Sequence, residues 1–352
     1  MSLVLKQLAE KGTSVDLQQI GWNDFFADQC RDTPYLPGRI ALIQRGYFTV
    51  WMKGGELLLP ANASLRRRGC DWPCIGDWVL VQEGSSIASV LARRTKLSRK
   101  QPGSQVGEQM LAANVDVLFV VSGLDLDYNP RRLERYVLLA NESGARPVLV
   151  LNKADLCDEP SRITSETRKI SSGAPVLAIS ATEGWGVSEL ADYIGPGQTA
   201  ALIGSSGAGK STILNALLGA PRQRTRQVSE AGSRGRHTTT QRELFVMPDG
   251  SLLMDLPGLR ELQLWVEPGH IDSSFRDIAE LAQHCRFRNC THDGEPGCAV
   301  TKGAINESRL RSYHKLQREA ERLTWQQNIH AALLEKKRIK AVERSMRARP
   351  AK

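Results

Sequence analysis

Eight residues from Gly204 to Ser211, with the sequence GSSGAGKS, have the composition of a phosphate-binding loop. Glycine lets backbone N–H groups approach phosphate oxygens closely, because it has no Cβ in the way. A helix that begins near Gly209 adds the positive end of its dipole. In this pattern Lys210 contacts the β- and γ-phosphates, and the Ser211 hydroxyl binds Mg²⁺. The predicted contacts are made by Gly204, Ser205, Ser206, Gly207, Ala208, Gly209, Lys210, Ser211 and Thr212.

A second group contains residue types that can contact a γ-phosphate and its metal ion. Asp255 and Gly258 belong to the sequence DLPG, which follows the apolar residues SLLM. An acidic residue at a strand end can hold Mg²⁺ through water, and a glycine N–H can contact the γ-phosphate. The upstream sequence RHTTT offers a threonine that binds Mg²⁺ only while a triphosphate is present. Thr238, Thr239 and Thr240 are all open as that ligand, and Thr239 is preferred.

The sequence NKAD, about fifty residues before the phosphate loop, has the types that recognise guanine. The Asp155 carboxylate can accept hydrogen bonds from guanine N1–H and N2–H₂, a donor pair that adenine lacks. Sites of this kind reject the wrong base by a factor of about 10⁴. The Lys153 stem can lie along the base, and a backbone N–H of Ser180 or Ala181 can reach the guanine O6. Together with Asn152, these residues predict selection of GTP over ATP.

A group of cysteine and histidine residues has the residue types and the spacing of a metal site. Cys285, Cys290, His292 and Cys298 are arranged as C-x4-C-x-H-x5-C. Three thiolates and one imidazole form a closed tetrahedral site for one structural Zn²⁺, with no open position for a catalytic water. The alternatives are that His284 replaces the histidine ligand, or that the cysteines are reduced residues of a small core. Cys70 and Cys74 resemble half a site, but the sequence offers no second half nearby.

The nucleotide motifs follow apolar runs that predict an α/β domain. VDVLFVVSG, PVLVLNKAD, APVLAISA and TAALIG read as buried parallel strands that end in polar loops. Leu133, Tyr136, Val137 and Ala140 have helical spacing, and STILNALLG reads as the helix behind the phosphate loop. The guanine motif precedes the phosphate loop, which is the reverse of the usual order. A circular permutation accounts for this order, because the ends of a domain often lie close together.

A small β unit precedes the α/β domain. Five short segments rich in Val, Ile, Trp and Tyr fit an OB-type or an SH3-like barrel. Its basic residues, and some of the aromatic residues Tyr47, Phe48, Trp51, Trp72 and Trp78, could offer a surface to RNA. The alternative is a solvated basic surface. We divide the chain into a partly disordered N-terminal extension, a small β-barrel, a circularly permuted GTPase domain, an α-helical zinc-binding domain and a basic tail, at 1–36, 37–98, 110–262, 268–335 and 336–352.

Composition limits the classes of protein that fit. The 352 residues carry a net charge of +9, and 41% of them are hydrophobic. This is ordinary for a soluble protein of two or three domains, and the basic surplus favours phosphate-rich partners. No apolar run approaches the ~20 residues that span a bilayer. We therefore expect a cytoplasmic protein, monomeric and without a membrane partner, whose seven cysteines do not form a disulfide framework.

The motifs together resemble the circularly permuted GTPase family of ribosome small-subunit-dependent GTPase A (RsgA, also YjeQ). The resemblance covers about 37–330 and rests on AANVD, NKAD, GSSGAGKS, GRHTTT, DLPGLRE and the Cys/His cluster. It implies an OB-type barrel, a permuted GTPase domain and a zinc domain. It also implies that GTP is hydrolysed to GDP and phosphate with stimulation by the small ribosomal subunit, late in the maturation of that particle, with contacts to its rRNA.

The sequence also predicts catalytic residues. Leu259 stands where many GTPases have a glutamine that orients water, so slow intrinsic turnover is expected. We hypothesise that His237 compensates when the ribosomal subunit orders its loop, with Lys210 and Thr239 as the other catalytic residues. The alternatives for His237 are an RNA contact or a plain loop position.

Two other functions remain open from the sequence. One is an RNA-binding assembly chaperone in which GTP only orders the protein. The other is a GTPase that acts on tRNA or messenger RNA, which predicts stimulation by free RNA in place of the assembled particle.

Overall fold

The computed structural model describes residues 16–44, 46–61, 71–82, 86–101, 107–219, 242–256, 271–303 and 305–347. The chain forms two compact units. The first contains Met1–Ser98 and Met110–Leu262, and the second contains Arg99–Gln109 and Gln263–Lys352.

Strands occupy the segments that the sequence predicts for the barrel. They are β1 (Leu36–Gln44), β2 (Tyr47–Met52), β3 (Gly55–Pro60), β4 (Trp78–Gln82) and β5 (Ser86–Val90). All are antiparallel: β1 pairs with β2 and β4, β2 with β3, and β4 with β5. Their core contains Ile40, Phe48, Val50, Met52, Leu59, Val79, Val81 and Ile87.

Most of the aromatic side chains that the sequence left open for RNA are buried. Phe48, Trp51 and Trp78 are buried, and Trp72 is half-buried. Tyr47 is the exposed member of the group. Within this set, Tyr47 is therefore the residue best placed to meet a partner.

Residues 16–35, the described part of the predicted N-terminal extension, contain short helical elements. They form short helical turns at Gln18–Ile20 and Asp28–Cys30 and a short helix, α1 (Asp24–Ala27). Phe26 is buried, and its ring lies 5.6 Å from that of Trp78. Aromatic contacts of this kind fix a segment whose own sequence has no strong helical period.

Arg39 connects this segment to the rest of the first unit. Its guanidinium is buried and donates hydrogen bonds to Ile20 O at 2.5 Å, Gly76 O at 3.3 Å and Thr199 Oγ1 at 2.8 Å. Burial lowers the pKa of Arg39 to about 10, although nearby carboxylates raise it. A buried guanidinium needs such a complete set of acceptors, so Arg39 holds the three segments in one arrangement.

The α/β sheet contains the strands that the apolar runs predict. Strands β6 (Lys96–Lys100) and β7 (Glu108–Ala113) form a separate two-stranded sheet. They are followed by β8 (Val117–Gly123), β9 (Arg146–Asn152), β10 (Val176–Ala178), β11 (Thr199–Gly204), β12 (Arg242–Val246) and β13 (Leu252–Asp255). The spatial order is β10-β9-β8-β11-β13-β12, with the first five parallel. β12 is antiparallel to β13 and also to the barrel strand β1, so one sheet continues from the α/β part into the barrel.

Helices pack beside this sheet at α2 (Pro130–Ser143), α3 (Pro160–Ile170) and α4 (Lys210–Leu218). The sequence specifies α2 well. Asn129 caps it by accepting a hydrogen bond from the N–H of Arg132, and Gly144 ends it with a φ of 79°. The second helix, α3, is not predicted from the sequence, since its apolar positions are few.

The second unit is helical in its described C-terminal part. It contains α5 (Ile271–Ser274), α6 (Arg276–Ala282), α7 (Ala299–Lys302) and α8 (Glu307–Arg347). Helix α8 is continuous through the start of the predicted basic tail, because no Gly or Pro interrupts it. Within the described residues, no helix is both long and apolar enough to cross a membrane.

Candidate nucleotide site and metal centre

The predicted nucleotide motifs meet at one edge of the sheet. Since β8, β9, β11 and β13 are parallel, their carboxyl ends lie side by side. Gly123, Asn152, Gly204 and Asp255 are the last residues of these strands. Ligands of open α/β sheets bind at this edge.

Two glycines of the phosphate loop lie where no side chain fits. A Cβ on Gly204 would lie 2.2 Å from Val121 O. A Cβ on Gly209 would lie 2.1 Å from Asn152 Nδ2, and Gly209 has a φ of 95°. The loop therefore passes close to neighbouring strands, and α4 begins immediately after it at Lys210.

The Lys210 side chain folds back over the start of the loop. Its Nζ donates hydrogen bonds to Gly204 O at 3.0 Å and Ser205 O at 2.6 Å. Burial lowers the pKa of Lys210, and the carboxylates of Asp255 and Asp127 oppose this effect. A buried ammonium of this kind is suited to an anion such as phosphate.

Asn152 joins the guanine motif to two other loops. Its side chain is buried, donates to Ala208 O at 3.0 Å, and accepts from the N–H of Ala181 at 3.0 Å. The N–H of Ser180 donates to Trp185 O at 3.0 Å. Ser180 and Ala181 thus use their N–H groups within the protein, and a contact with guanine O6 stays a prediction.

The other residues of the guanine motif are less buried than Asn152. Asp155 is exposed in a helical turn at Ala154–Leu156, so its carboxylate is accessible to a ligand. Lys153 has a φ of 64°, and its Nζ lies 2.5 Å from Asp125 Oδ2. The hydrogen bonds from Lys153 and from the Asp127 N–H outweigh the effect of burial, so the pKa of Asp125 lies below its usual value.

Sequence reasoning missed the loop that follows β8. Asp125 contacts Lys153, and Asp127 contacts Ser205 of the phosphate loop through Ser205 Oγ. Arg132 Nη2 lies 2.6 Å from Asp127 Oδ1. The signal was present, since the LDLD sequence follows a buried parallel strand whose end must lie at the same sheet edge.

Several predicted residues lie outside the described residues. These are His237, Thr239 and Gly258, together with Thr238, Thr240 and Leu259. Their roles remain predictions. Ser211 and Thr212 lie in the first turn of α4, next to Lys210.

The structure brings the four predicted metal ligands together. The ligand atoms of Cys285, Cys290, His292 and Cys298 all lie within 4.8 Å of one another. His292 Nδ1 lies 3.6 Å from Cys285 Sγ and 3.5 Å from Cys298 Sγ, and the two sulfurs are 3.9 Å apart. His284 is exposed and does not belong to this cluster, and Cys74 is buried elsewhere.

These separations fit a tetrahedral zinc site. With Zn–S bonds of about 2.3 Å and Zn–N bonds of about 2.0 Å, ligand sulfurs lie about 3.8 Å apart, and sulfur and nitrogen about 3.6 Å. The N–H groups of Ala299 and Thr301 donate to Cys285 Sγ and Cys298 Sγ. Such donors stabilise thiolates, which are the metal-binding form of cysteine.

The sheet order and the site define the class of this protein. The phosphate loop follows the central strand β11, while the guanine motif on β9 comes earlier in the chain. This is the arrangement of a circularly permuted P-loop GTPase. The model of the RsgA GTPase family matches residues 90–265. The chain belongs to the RsgA GTPase family and is a GTP hydrolase.

Individual relatives agree with this assignment. The chain is 42% identical to the small ribosomal subunit biogenesis GTPase RsgA of Opitutus terrae, over 95% of this chain and 97% of the relative. It is 40% identical to the protein of that name from Syntrophotalea carbinolica, over 94% and 96%.

Solved structures agree as well. YjeQ from Thermotoga maritima has 28% identity and a TM-score of 0.60, over 81% of this chain and 98% of that chain. YloQ, described as a circularly permuted GTPase, shares the fold with 20% identity and a TM-score of 0.57, over 83% and 97%. The predicted fold class is confirmed: an OB-type barrel, a permuted GTPase domain and C-terminal helices with a Cys3His cluster.

Proposed function

We propose that this GTPase acts in late maturation of the small ribosomal subunit, as a cytoplasmic monomer. It binds the subunit and its rRNA, and the subunit stimulates hydrolysis of GTP to GDP and phosphate. The observation that carries the proposal is the similarity over nearly the whole chain to proteins named small ribosomal subunit biogenesis GTPase. The net charge of +9 supports an RNA-rich partner.

The residues at the sheet edge would hold the nucleotide. Asp155 and Lys153 would take the guanine, and Asn152 would fix the loops around it. Lys210 and the N–H groups from Gly204 to Ser211 would take the phosphates. Mg²⁺ would be held by Ser211 and Thr239, with Asp255 acting through water, and it would neutralise charge on the phosphates.

The Cys3His cluster would hold one structural Zn²⁺. All four positions are protein ligands, so the ion would have no open site for catalysis. Its role would be to fix the loop between α6 and α7. Arg309 steadies the same unit, because its guanidinium contacts both carboxylate oxygens of Asp277 at 2.5 and 2.8 Å.

A phosphate-release assay with purified small subunits tests the function. We expect slow multiple turnover by the protein alone and an increase of at least tenfold when small subunits are added. Lys210→Ala is the inactive control. Binding to the subunit without stimulation would instead favour an RNA-binding assembly chaperone, and stimulation by free RNA alone would favour a substrate other than the assembled particle.

A second experiment tests His237 as the residue that completes the catalytic site. We expect His237→Ala to abolish the stimulated rate, by at least 10²-fold, because a positioned side chain that aids proton transfer or orients water contributes about 10²–10⁴-fold. The affinity for GTP should stay within about threefold of the wild type, which separates catalysis from binding. His284→Ala is the matched control, since His284 is an exposed histidine outside the metal cluster. Stimulation retained in His237→Ala would reject the role.

A further inference from the structure

The tip of Lys210 marks one end of the candidate phosphate site. In a phosphate loop this lysine reaches the β- and γ-phosphates. Its Nζ donates hydrogen bonds to Gly204 O and Ser205 O. Ser205 therefore lies at the end of the loop where the γ-phosphate would be.

A carboxylate lies at this same end. Asp127 Oδ2 accepts a hydrogen bond from Ser205 Oγ and lies 3.5 Å from the N–H of Gly123. Only 21% of the Asp127 side chain is exposed, so water screens its charge weakly. Because repulsion between like charges falls with distance, an ionised carboxylate at this end of the loop would repel a γ-phosphate more than it would repel a diphosphate.

Arg132 is placed to cancel that charge. It lies in the first turn of α2, and its Nη2 donates to both the carbonyl and the Oδ1 of Asp127. The side chain is 30% exposed, and its Nε and Nη1 make no hydrogen bond with any described residue. Among the described residues, Asp127 is thus the hydrogen-bond partner of this guanidinium.

The preceding acidic residue of the loop is paired in the same way. Asp125 contacts Lys153 of the guanine motif, with 2.5 Å between Oδ2 and Nζ. Both carboxylates of the LDLD sequence therefore have a cation beside them. One pair lies toward the base and the other toward the phosphates.

We propose that Arg132 is a positioning residue for the γ-phosphate. It neutralises the carboxylate of Asp127, which orients Ser205. GTP, and not only GDP, can then bind at the site. This inference rests on the nucleotide site proposed above. Asp127 orients the start of the phosphate loop, and Arg132 removes the electrostatic penalty that this carboxylate would impose on a triphosphate. The pair therefore sets the ratio of the two nucleotide affinities.

The test is the pair of dissociation constants for GDP and for a non-hydrolysable GTP analogue, measured on the full chain with Mg²⁺. Arg132→Ala should weaken the analogue at least tenfold while GDP stays within about threefold, because the unpaired carboxylate would repel the additional γ-phosphate most strongly. Arg132→Lys keeps the charge and should stay near the wild type. Arg131→Ala is the matched control, since Arg131 precedes Arg132 and faces Glu134 instead.

The double variant Asp127→Asn with Arg132→Ala decides the mechanism. Removal of both charges should restore the ratio of the two dissociation constants to within about threefold of the wild type. Equal weakening of both nucleotides in Arg132→Ala, an unchanged ratio, or no recovery in the double variant would each overturn the inference. Denaturant unfolding of each variant shows whether it is folded.

Lys210→Ala separates this inference from the site assignment beneath it. If that variant still binds both nucleotides normally, the proposed site is wrong. If it loses both while Arg132→Ala leaves the ratio unchanged, the site stands and only the role of Arg132 fails.

Discussion

Asp155→Asn is expected to change the base preference of this GTPase from guanine to xanthine. In the proposed site the carboxylate of Asp155 would accept two hydrogen bonds from guanine, whereas an asparagine amide in its place would present a donor to the guanine N2 amino group. The affinity for GTP should fall by about 10²-fold or more, because a hydrogen bond to a charged group contributes about 1.5–3 kcal/mol and two of them would be lost. Xanthine carries a carbonyl oxygen at C2, so xanthosine triphosphate can accept from the amide and should bind much more tightly than GTP.

Calorimetry with GTP, xanthosine triphosphate and ATP measures this change. Asp155 is exposed, so the substitution leaves the protein core intact. Asp158→Asn is the matched control, because Asp158 is an exposed aspartate three residues away. If Asp155→Asn still bound GTP as tightly as the wild type, the guanine contact assigned to Asp155 would be wrong.

Loss of one metal ligand is expected to unfold the Cys3His loop of the second unit. A structural zinc ion contributes about 10–16 kcal/mol in zinc-finger peptides, which is as large as the whole stability of many domains. Cys298→Ala should therefore bind no zinc at neutral pH. Residues 285–303 should lose most of their protection from amide hydrogen exchange.

Metal analysis and hydrogen exchange by mass spectrometry measure the two effects. The wild type, purified without chelator, should carry one zinc per chain. Cys157→Ala should match it, because Cys157 is a half-buried cysteine outside the cluster. A wild type without metal, or a full complement of zinc in Cys298→Ala, would contradict the assignment of these ligands.

The sequence predicts the elements that local pattern determines. The run that becomes β8 is continuously apolar because both faces of that strand are buried, and the phosphate loop is recognisable because few residue types can replace its glycines. The spacing of Cys285, Cys290, His292 and Cys298 likewise predicts their meeting, since the ligands lie within one short loop.

Features that depend on distant contacts are not predictable in this way. Asp127 and Ser205 are 78 positions apart, and neither residue type signals the other. The packing of Phe26 against Trp78 and the burial of Arg39 likewise require partners from remote parts of the chain. Register and packing between segments arise from the tertiary fold, and a single sequence does not contain them in readable form.

The pairing of β1 with β12 covers one edge of the α/β sheet. Leu42 and Ile43 lie opposite Glu243 and Arg242, where the α/β sheet would otherwise end in unsatisfied backbone groups. Such a border attracts strands of other molecules and promotes aggregation. Because β1 of the same polypeptide covers this edge, the catalytic sheet cannot pair there with strands of other molecules. An isolated α/β fragment would expose the edge.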